Sequence, residues 1–122
     1  MRATCFVLGW VAERHPALVR RIANEGHELA SHGWDHTLVR AQGPEGFRHD
    51  VRTARRALEQ ASGQAVWGYR APNYSIGRDT PWVFTVLAEE GYAYDSSVHP
   101  IAHDRYGLPH APRFPHVAAE AA

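Results

Sequence analysis

The sequence predicts an α/β fold in which short parallel strands alternate with helices. Short runs rich in β-forming residues recur along the 122 residues. Between them lie segments with apolar residues at helical spacing, each followed by a glycine at position 26, 63 or 91. Alternation of strand and helix at this length implies βα units with right-handed crossovers into one parallel sheet.

Taken in order, residues 3–8 (ATCFVL) form a continuous apolar run suited to a strand buried on both faces, with Gly9 ending it. Pro16 then fits the first position of a helix. Leu18, Val19, Ile22 and Ala23 form its inward stripe, and Gly26 stops it. Residues 28–31 are the second strand, and residues 37–43 are expected to be loop. Pro44 and Glu45 open a second helix with Phe47, Val51, Ala54, Leu58 and Ala61 on one face. Arg48, Arg52, Arg55 and Glu59 occupy its other faces and are expected to be solvated rather than to form a nucleic-acid patch. Gly63 ends this helix, and residues 65–69 read as a third strand. Thr80 as N-cap and Pro81 as first residue start a third helix, with Val83, Val86, Leu87 and Glu90 on its stripe and Gly91 as its stop. Residues 92–94 read as the fourth strand. From His99 onward, four prolines and little periodicity mark an irregular segment that ends in an Ala-rich tail over residues 117–122.

Length bounds the chain to one domain with one modest core. A hydrophobic content of 44% argues against wholesale disorder. Thirteen basic residues balance thirteen acidic ones, which removes the positive footprint of a nucleic-acid binder. No run of eighteen apolar residues occurs, so no membrane span is expected. Strand-like sequence directly after Met1, with no signal-peptide layout, favours a cytoplasmic chain. The lone cysteine, Cys5, rules out an internal disulfide and a cysteine-rich zinc site, and its apolar setting reads as a buried structural thiol.

In parallel folds, sites collect at the carboxyl ends of strands. His32 and His36 follow the second strand, Arg70 the third and Asp95 the fourth. Two histidines four residues apart can share a face and ligate a metal, although surface-loop histidines remain the alternative. A catalytic zinc takes three protein ligands and a water, and no third ligand stands out, since Asp35 would point elsewhere on a turn. Pro72 restrains Ala71 to extended backbone, which projects Arg70 in a fixed direction. Its guanidinium could pair with a carboxylate, Asp95 being the natural partner, or with a negatively charged transition state. Ser75, Ser96 and Ser97 lack a G-x-S-x-G setting and read as loop hydrogen-bonders. Trp67 and Trp82 are core candidates, whereas Trp34 and Tyr74 lie in the rim loops and could stack on a sugar ring.

These residues together resemble the polysaccharide deacetylase family, also called the NodB-homology domain. The stretch Ala3-Thr4-Cys5-Phe6-Val7-Leu8-Gly9 is similar to the family's A-T-F-F-V strand. Gly26-His27-Glu28-Leu29-Ala30-Ser31-His32-Gly33-Trp34-Asp35-His36 matches its G-H-E-(I/L)-x-x-H-x-x-x-H motif, and Arg70-Ala71-Pro72 its R-x-P motif. The segments Asp95 to Val98, His103 to Gly107 and Ala111 to Pro115 look like the branch associated with exopolysaccharide and exosortase loci.

The resemblance implies a partial, distorted (β/α) barrel over residues 1–116, followed by the tail. It also implies hydrolysis of N-acetyl groups from a polysaccharide substrate. A divalent metal, often zinc, would be held by His32, His36 and an aspartate. Arg70 would orient the catalytic aspartate, Asp95 would be its carboxylate partner, and the backbone amide of Asn73 would help hold the oxyanion. Asn73 stands where many members carry tyrosine, and Cys5 where phenylalanine is usual. The family's acidic pair, which supplies the third ligand and the general base, would precede Met1. Its acid-donating histidine would follow Ala122. The chain is thus expected to be the middle of a deacetylase domain. The alternative is a truncated, non-catalytic product that keeps only a weak two-histidine metal site.

Overall fold

Pairing of the first two apolar runs sets the frame. In the computed structural model, which describes residues 1–72 and 76–97, β1 (Thr4–Val7) runs parallel to β2 (Glu28–Ser31). Thr4 stands opposite Glu28 and Val7 opposite Ser31. β3 (Gly68–Tyr69) and β4 (Tyr94–Asp95) complete a parallel sheet in the order β1-β2-β3-β4. Ser31, Tyr69 and Asp95 are aligned across it. The ladder runs one residue further: the amides of His32, Arg70 and Ser96 donate to the carbonyls of Val7 (3.0 Å), Ser31 (2.9 Å) and Tyr69 (2.8 Å).

Four helices connect the strands: α1 (Gly9–Arg14), α2 (Pro16–Asn24), α3 (Val39–Ser62) and α4 (Val83–Glu89). Alternate strand residues point to opposite faces. On one face, Cys5, Val7 and Leu29 pack with Ala12, Val19, Ala23, Leu58 and Ala61. Tyr69 joins a second cluster with Phe47, Val51, Val83, Val86 and Leu87. The Phe47 and Tyr69 rings meet edge-to-face at 5.5 Å, an arrangement that adds to the area they bury. On the opposite face, Thr4 and Tyr94 both donate to the Glu28 carboxylate (2.8 and 2.7 Å), and the Arg70 guanidinium lies 4.4 Å over the Phe6 ring. The Tyr94 ring lies over Gly68, and a Cβ there would oblige that ring to move.

The parallel α/β architecture is the one expected, with β3 and β4 beginning later than expected and five further differences in its elements. Gly9 does not simply end a strand: it opens α1, because its missing side chain lets the helix start flush against Trp34 and Ala54. β1 is an edge strand, exposed at Thr4 and half-buried from Cys5 to Val7, so Cys5 is only partly covered. A helical stretch begins at Val39, within the expected loop, and is joined to the longer helix through Gly43 (φ 72°, ψ 173°) just before Pro44. Thr80 does not cap α4. It closes the preceding turn through Gly77, and α4 begins at Val83. The basic residues of α3 are not a free solvated face: Arg48 and Arg52 grip Glu90 of the α4 terminus at 3.1 and 2.7 Å, and Arg55 donates to the Val66 and Glu90 carbonyls.

Among single residues, Leu18 and Trp67 are half-exposed rather than core. Phe47, Val51, Ala54, Leu58 and Ala61 are all buried, and Gly63 ends α3 in the left-handed region (φ 74°). No helix among the described residues is long and apolar enough to cross a membrane. The irregular segment from His99 and the tail lie outside the described residues.

Gly9 supplies the sharpest packing test. A Cβ there would lie 2.6 Å from Cε3 of Trp34 and 2.8 Å from Cα of Ala54. Overpacking of this kind costs about 1–3 kcal/mol. Gly9→Ala should therefore lower the unfolding free energy by that amount and bring the urea midpoint down with it, and an unchanged midpoint would contradict the close approach.

Candidate metal and catalytic site

The site is assembled at the carboxyl ends of β2, β3 and β4. His32 leaves β2 with its backbone still in the ladder, and its ring nitrogen Nδ1 lies 2.6 Å from the Arg70 carbonyl oxygen. A carbonyl can only accept, so Nδ1 carries the proton and Nε2 keeps its lone pair. Burial holds the His32 pKa below the ordinary histidine range, against the Arg70 carbonyl bond, which raises it; the nearby His36 and Arg70 also lower it. The neutral imidazole that results is the metal-binding form.

His36 sits with its ring centroid 5.0 Å from that of His32, in an edge-on arrangement. It reaches this place through a left-handed backbone (φ 69°), uncommon for a residue with a side chain. The intervening turn is fastened on several sides. Its carbonyls at Gly33 and Trp34 accept the first two amides of α1, from Gly9 (2.8 Å) and Trp10 (3.1 Å). Its Gly33 amide donates to Oγ of Ser31 and its Trp34 amide to Oδ1 of Asp50 on α3 (2.9 Å). Burial raises the Asp50 pKa above the ordinary range, against the Trp34 amide, which lowers it.

These residues fit a divalent metal. Two imidazoles lie with their centroids 5.0 Å apart, and one has its second nitrogen committed to a carbonyl, as metal-ligating histidines almost always do. Among the described residues no group of three or more His, Cys, Asp or Glu side chains converges. His32 and His36 would hold the ion, and a third protein ligand would come from outside that set.

Arg70 follows β3 at the same level as His32. Its Nε donates to the Ser96 carbonyl (2.9 Å) and its Nη2 to the Ser96 hydroxyl (2.7 Å). Asp95 is paired with Tyr69 inside β4, one residue short of the rim, so Ser96 occupies the level at which the sequence placed Asp95. The Asp95 carboxylate accepts both the hydroxyl and the amide of Ser97 (3.1 Å for the amide). The buried Ser97 hydroxyl in turn accepts the Ala71 amide (2.7 Å), which ties the Arg70-Ala71-Pro72 segment to β4. Burial pushes the Asp95 pKa up to about 6, against the Ser97 bonds and, last, the positive charge of Arg70. The buried Tyr69 hydroxyl, which feels the charges of Asp50 and Asp95, has no hydrogen-bond partner among the described residues.

The structure thus brings His32, His36, Arg70 and Asp95 to one end of the sheet. Trp34 is half-buried, with its ring against Gly9, while Asn73 and Tyr74 lie outside the described residues. Sequence reasoning passed over Asp50 and undervalued Ser97. Asp50 did leave a signal: a carboxylate three residues after Phe47 and four before Ala54 flanks the buried stripe of an amphipathic helix. For Ser97 no pattern distinguishes a buried hydroxyl from an exposed one.

Comparison with known proteins identifies the family to which the chain is similar. The family model described as "Polysaccharide deacetylase" matches residues 1–94. A chitooligosaccharide deacetylase of Bradyrhizobium sp. is 35% identical over 97 residues, covering 80% of this chain and 42% of its own length. A peptidoglycan-N-acetylglucosamine deacetylase of Bacillus cereus is 33% identical over 72 residues, covering 59% of this chain and 26% of its own. Among solved structures, a Mycobacterium smegmatis protein assigned as a polysaccharide deacetylase superposes with a TM-score of 0.71 at 36% identity, covering 79% of this chain and 32% of its own. The chain therefore spans less than half the length of these relatives.

Asp95 holds its proton more tightly folded than unfolded, so its contribution to stability is fullest below about pH 4 and is lost as pH rises through about 6. Carbon-13 NMR titration of the Asp95 carboxyl should give a midpoint near 6. A midpoint near 4, the ordinary aspartate value of about 3.9, would contradict the enclosure described.

Proposed function

The chain belongs to the polysaccharide deacetylase family, and we propose that it forms the central part of a catalytic domain that hydrolyses N-acetyl groups from a polymeric amino sugar. The observation that carries this reading is the pairing of His36 with a His32 ring whose Nδ1 is tied to the Arg70 carbonyl at 2.6 Å. It presents metal-binding nitrogens beside an arginine that belongs to the same rim.

The cofactor in this reading is a divalent metal, zinc. When bound, it polarises the acetyl carbonyl and lowers the pKa of a water that attacks it. The chain's own residues do the rest. His32 and His36 hold the ion. Arg70, fixed by Ser96, directs its charge at the catalytic carboxylate, and Asp95 reinforces that strap through Ser97 and Ala71. The Asn73 amide donates to the developing oxyanion, and Trp34 and Tyr74 stack on sugar rings. The named relatives act on chitooligosaccharide and on peptidoglycan N-acetylglucosamine, so the polymer here is read as N-acetylglucosamine-based, an exopolysaccharide in keeping with the resemblance over residues 95–115.

A second reading is a non-catalytic chain with a weak two-histidine metal site. It is favoured by the lack of three converging ligands among the described residues. Calorimetric zinc titration with an acetate-release assay on chitooligosaccharides separates the two. Measured on the catalytic domain that contains this stretch, the deacetylase reading expects one zinc per domain and acetate release that stops on chelation. It also expects His32→Ala or His36→Ala to weaken zinc binding by more than the roughly 10–100-fold that an outer partner costs. Zinc binding without acetate release would favour the second reading, and binding indifferent to both substitutions would overturn both.

A further inference from the structure

We infer that Asp50 is a positioning residue for the metal site: it holds the turn between the two histidines and thereby sets His36 against His32. The inference rests on the metal reading above and extends it to a residue on a different element.

The turn itself cannot fix His36. Its backbone enters the left-handed region twice, at Gly33 (φ 77°) and at His36 (φ 69°). A non-glycine residue in that region carries about 1–2 kcal/mol of strain and persists where its surroundings impose it. Two carbonyls within the turn, at Gly33 and Trp34, are held by the amides at the start of α1. The Gly33 amide is held by Ser31, at 3.2 Å the longest of the turn's bonds. Only Asp50 reaches the Trp34 amide among the contacts described, at 2.9 Å and from α3. Its other oxygen, Oδ2, lies 2.8 Å from where a Cβ on Gly33 would be, so glycine at that position is what lets the carboxylate close on the turn.

Asp50 also stands on a firm base. Phe47, Val51 and Ala54, its neighbours on α3, are fully buried. Thr53 on the same helix bonds back to the carbonyls of His49 and Asp50, so the carboxylate projects from regular, fastened backbone. A half-buried carboxylate is retained at a cost in solvation unless it is hydrogen-bonded, and here it accepts the Trp34 amide, at the middle of the turn between the two histidines. Loss of the acceptor would leave the Trp34 amide unsatisfied and release the His36 end of the turn. The Arg70 carbonyl would go on holding His32.

The test compares Asp50→Asn, which keeps an oxygen acceptor, with Asp50→Leu and Asp50→Ala, which remove it, the first with the same branching at larger volume and the second at reduced volume. Zinc affinity is measured by competition with a chromophoric chelator, and hydrogen exchange of the Trp34 amide is followed in the metal-free chain. Val86→Ala, in the α4 core, controls for general destabilisation. The inference expects Asp50→Asn to bind zinc within about threefold of the parent chain. Asp50→Leu and Asp50→Ala should bind it about 10–100-fold more weakly, the range for outer partners of metal ligands. The Trp34 amide should exchange at least about tenfold faster in those two variants alone. Parent-like affinity in Asp50→Leu or Asp50→Ala, or an equal loss in Val86→Ala, overturns the inference while the metal reading stands. A parent chain that binds no zinc overturns both. Should Asp50→Ala not fold, Asp50→Leu against Asp50→Asn still decides.

Discussion

The hydrogen bond between His32 Nδ1 and the Arg70 carbonyl is the constraint from which the rest of the site follows. It joins the residue after β2 to the residue after β3, both still held in the ladder by their own amides. It settles which nitrogen of His32 is free, and it does so with a backbone group whose position is fixed by the sheet rather than by a rotamer. The same peptide carries the guanidinium that reaches Ser96. His32 and Arg70 are therefore positioned by one unit, and displacing either would move the other.

Around that bond the fold supplies two braces. On the β2 side, α1 and α3 close on the His32–His36 turn, through the Gly9 and Trp10 amides and the Asp50 carboxylate. On the β4 side, Ser97 passes a bond from Ala71 to Asp95, so the segment leading to Pro72 is tied to the edge strand. Both braces use carboxylates whose burial raises their pKa. Burial thus works against their charge, and bonds from backbone amides limit the cost of enclosing it. The pairs that join α3 to α4, Arg48 and Arg52 with Glu90, lie away from this end and hold the layer of helices together.

Much of this architecture was legible in the sequence. Helical spacing of Phe47, Val51, Ala54, Leu58 and Ala61, closed by Gly63, specifies the long part of α3 because periodicity and an αL stop agree. The histidine pair and Arg70 were legible because residues after parallel strands fall at one end of the sheet. What the pattern could not carry was register. Asp95 was placed at the rim by a strand boundary one residue too early, and Ser96 took that level instead. Gly9 was misread because a glycine after a strand marks a turn as readily as a close approach, and only the packing of Trp34 and Ala54 against it distinguishes the two. Asp50 was overlooked because its partner, the Trp34 amide, is sixteen residues away, and no local periodicity encodes that contact.

The central claim is that the sheet, through the Arg70 carbonyl, fixes His32 as a neutral ring with Nε2 free for a metal. Long-range nitrogen–proton NMR correlation on the metal-free chain at neutral pH reads this directly. The account predicts a His32 ring protonated at Nδ1, with its Nε2 resonance alone shifting strongly when zinc is added. A ring protonated at Nε2, or a zinc-induced shift at Nδ1, would contradict it.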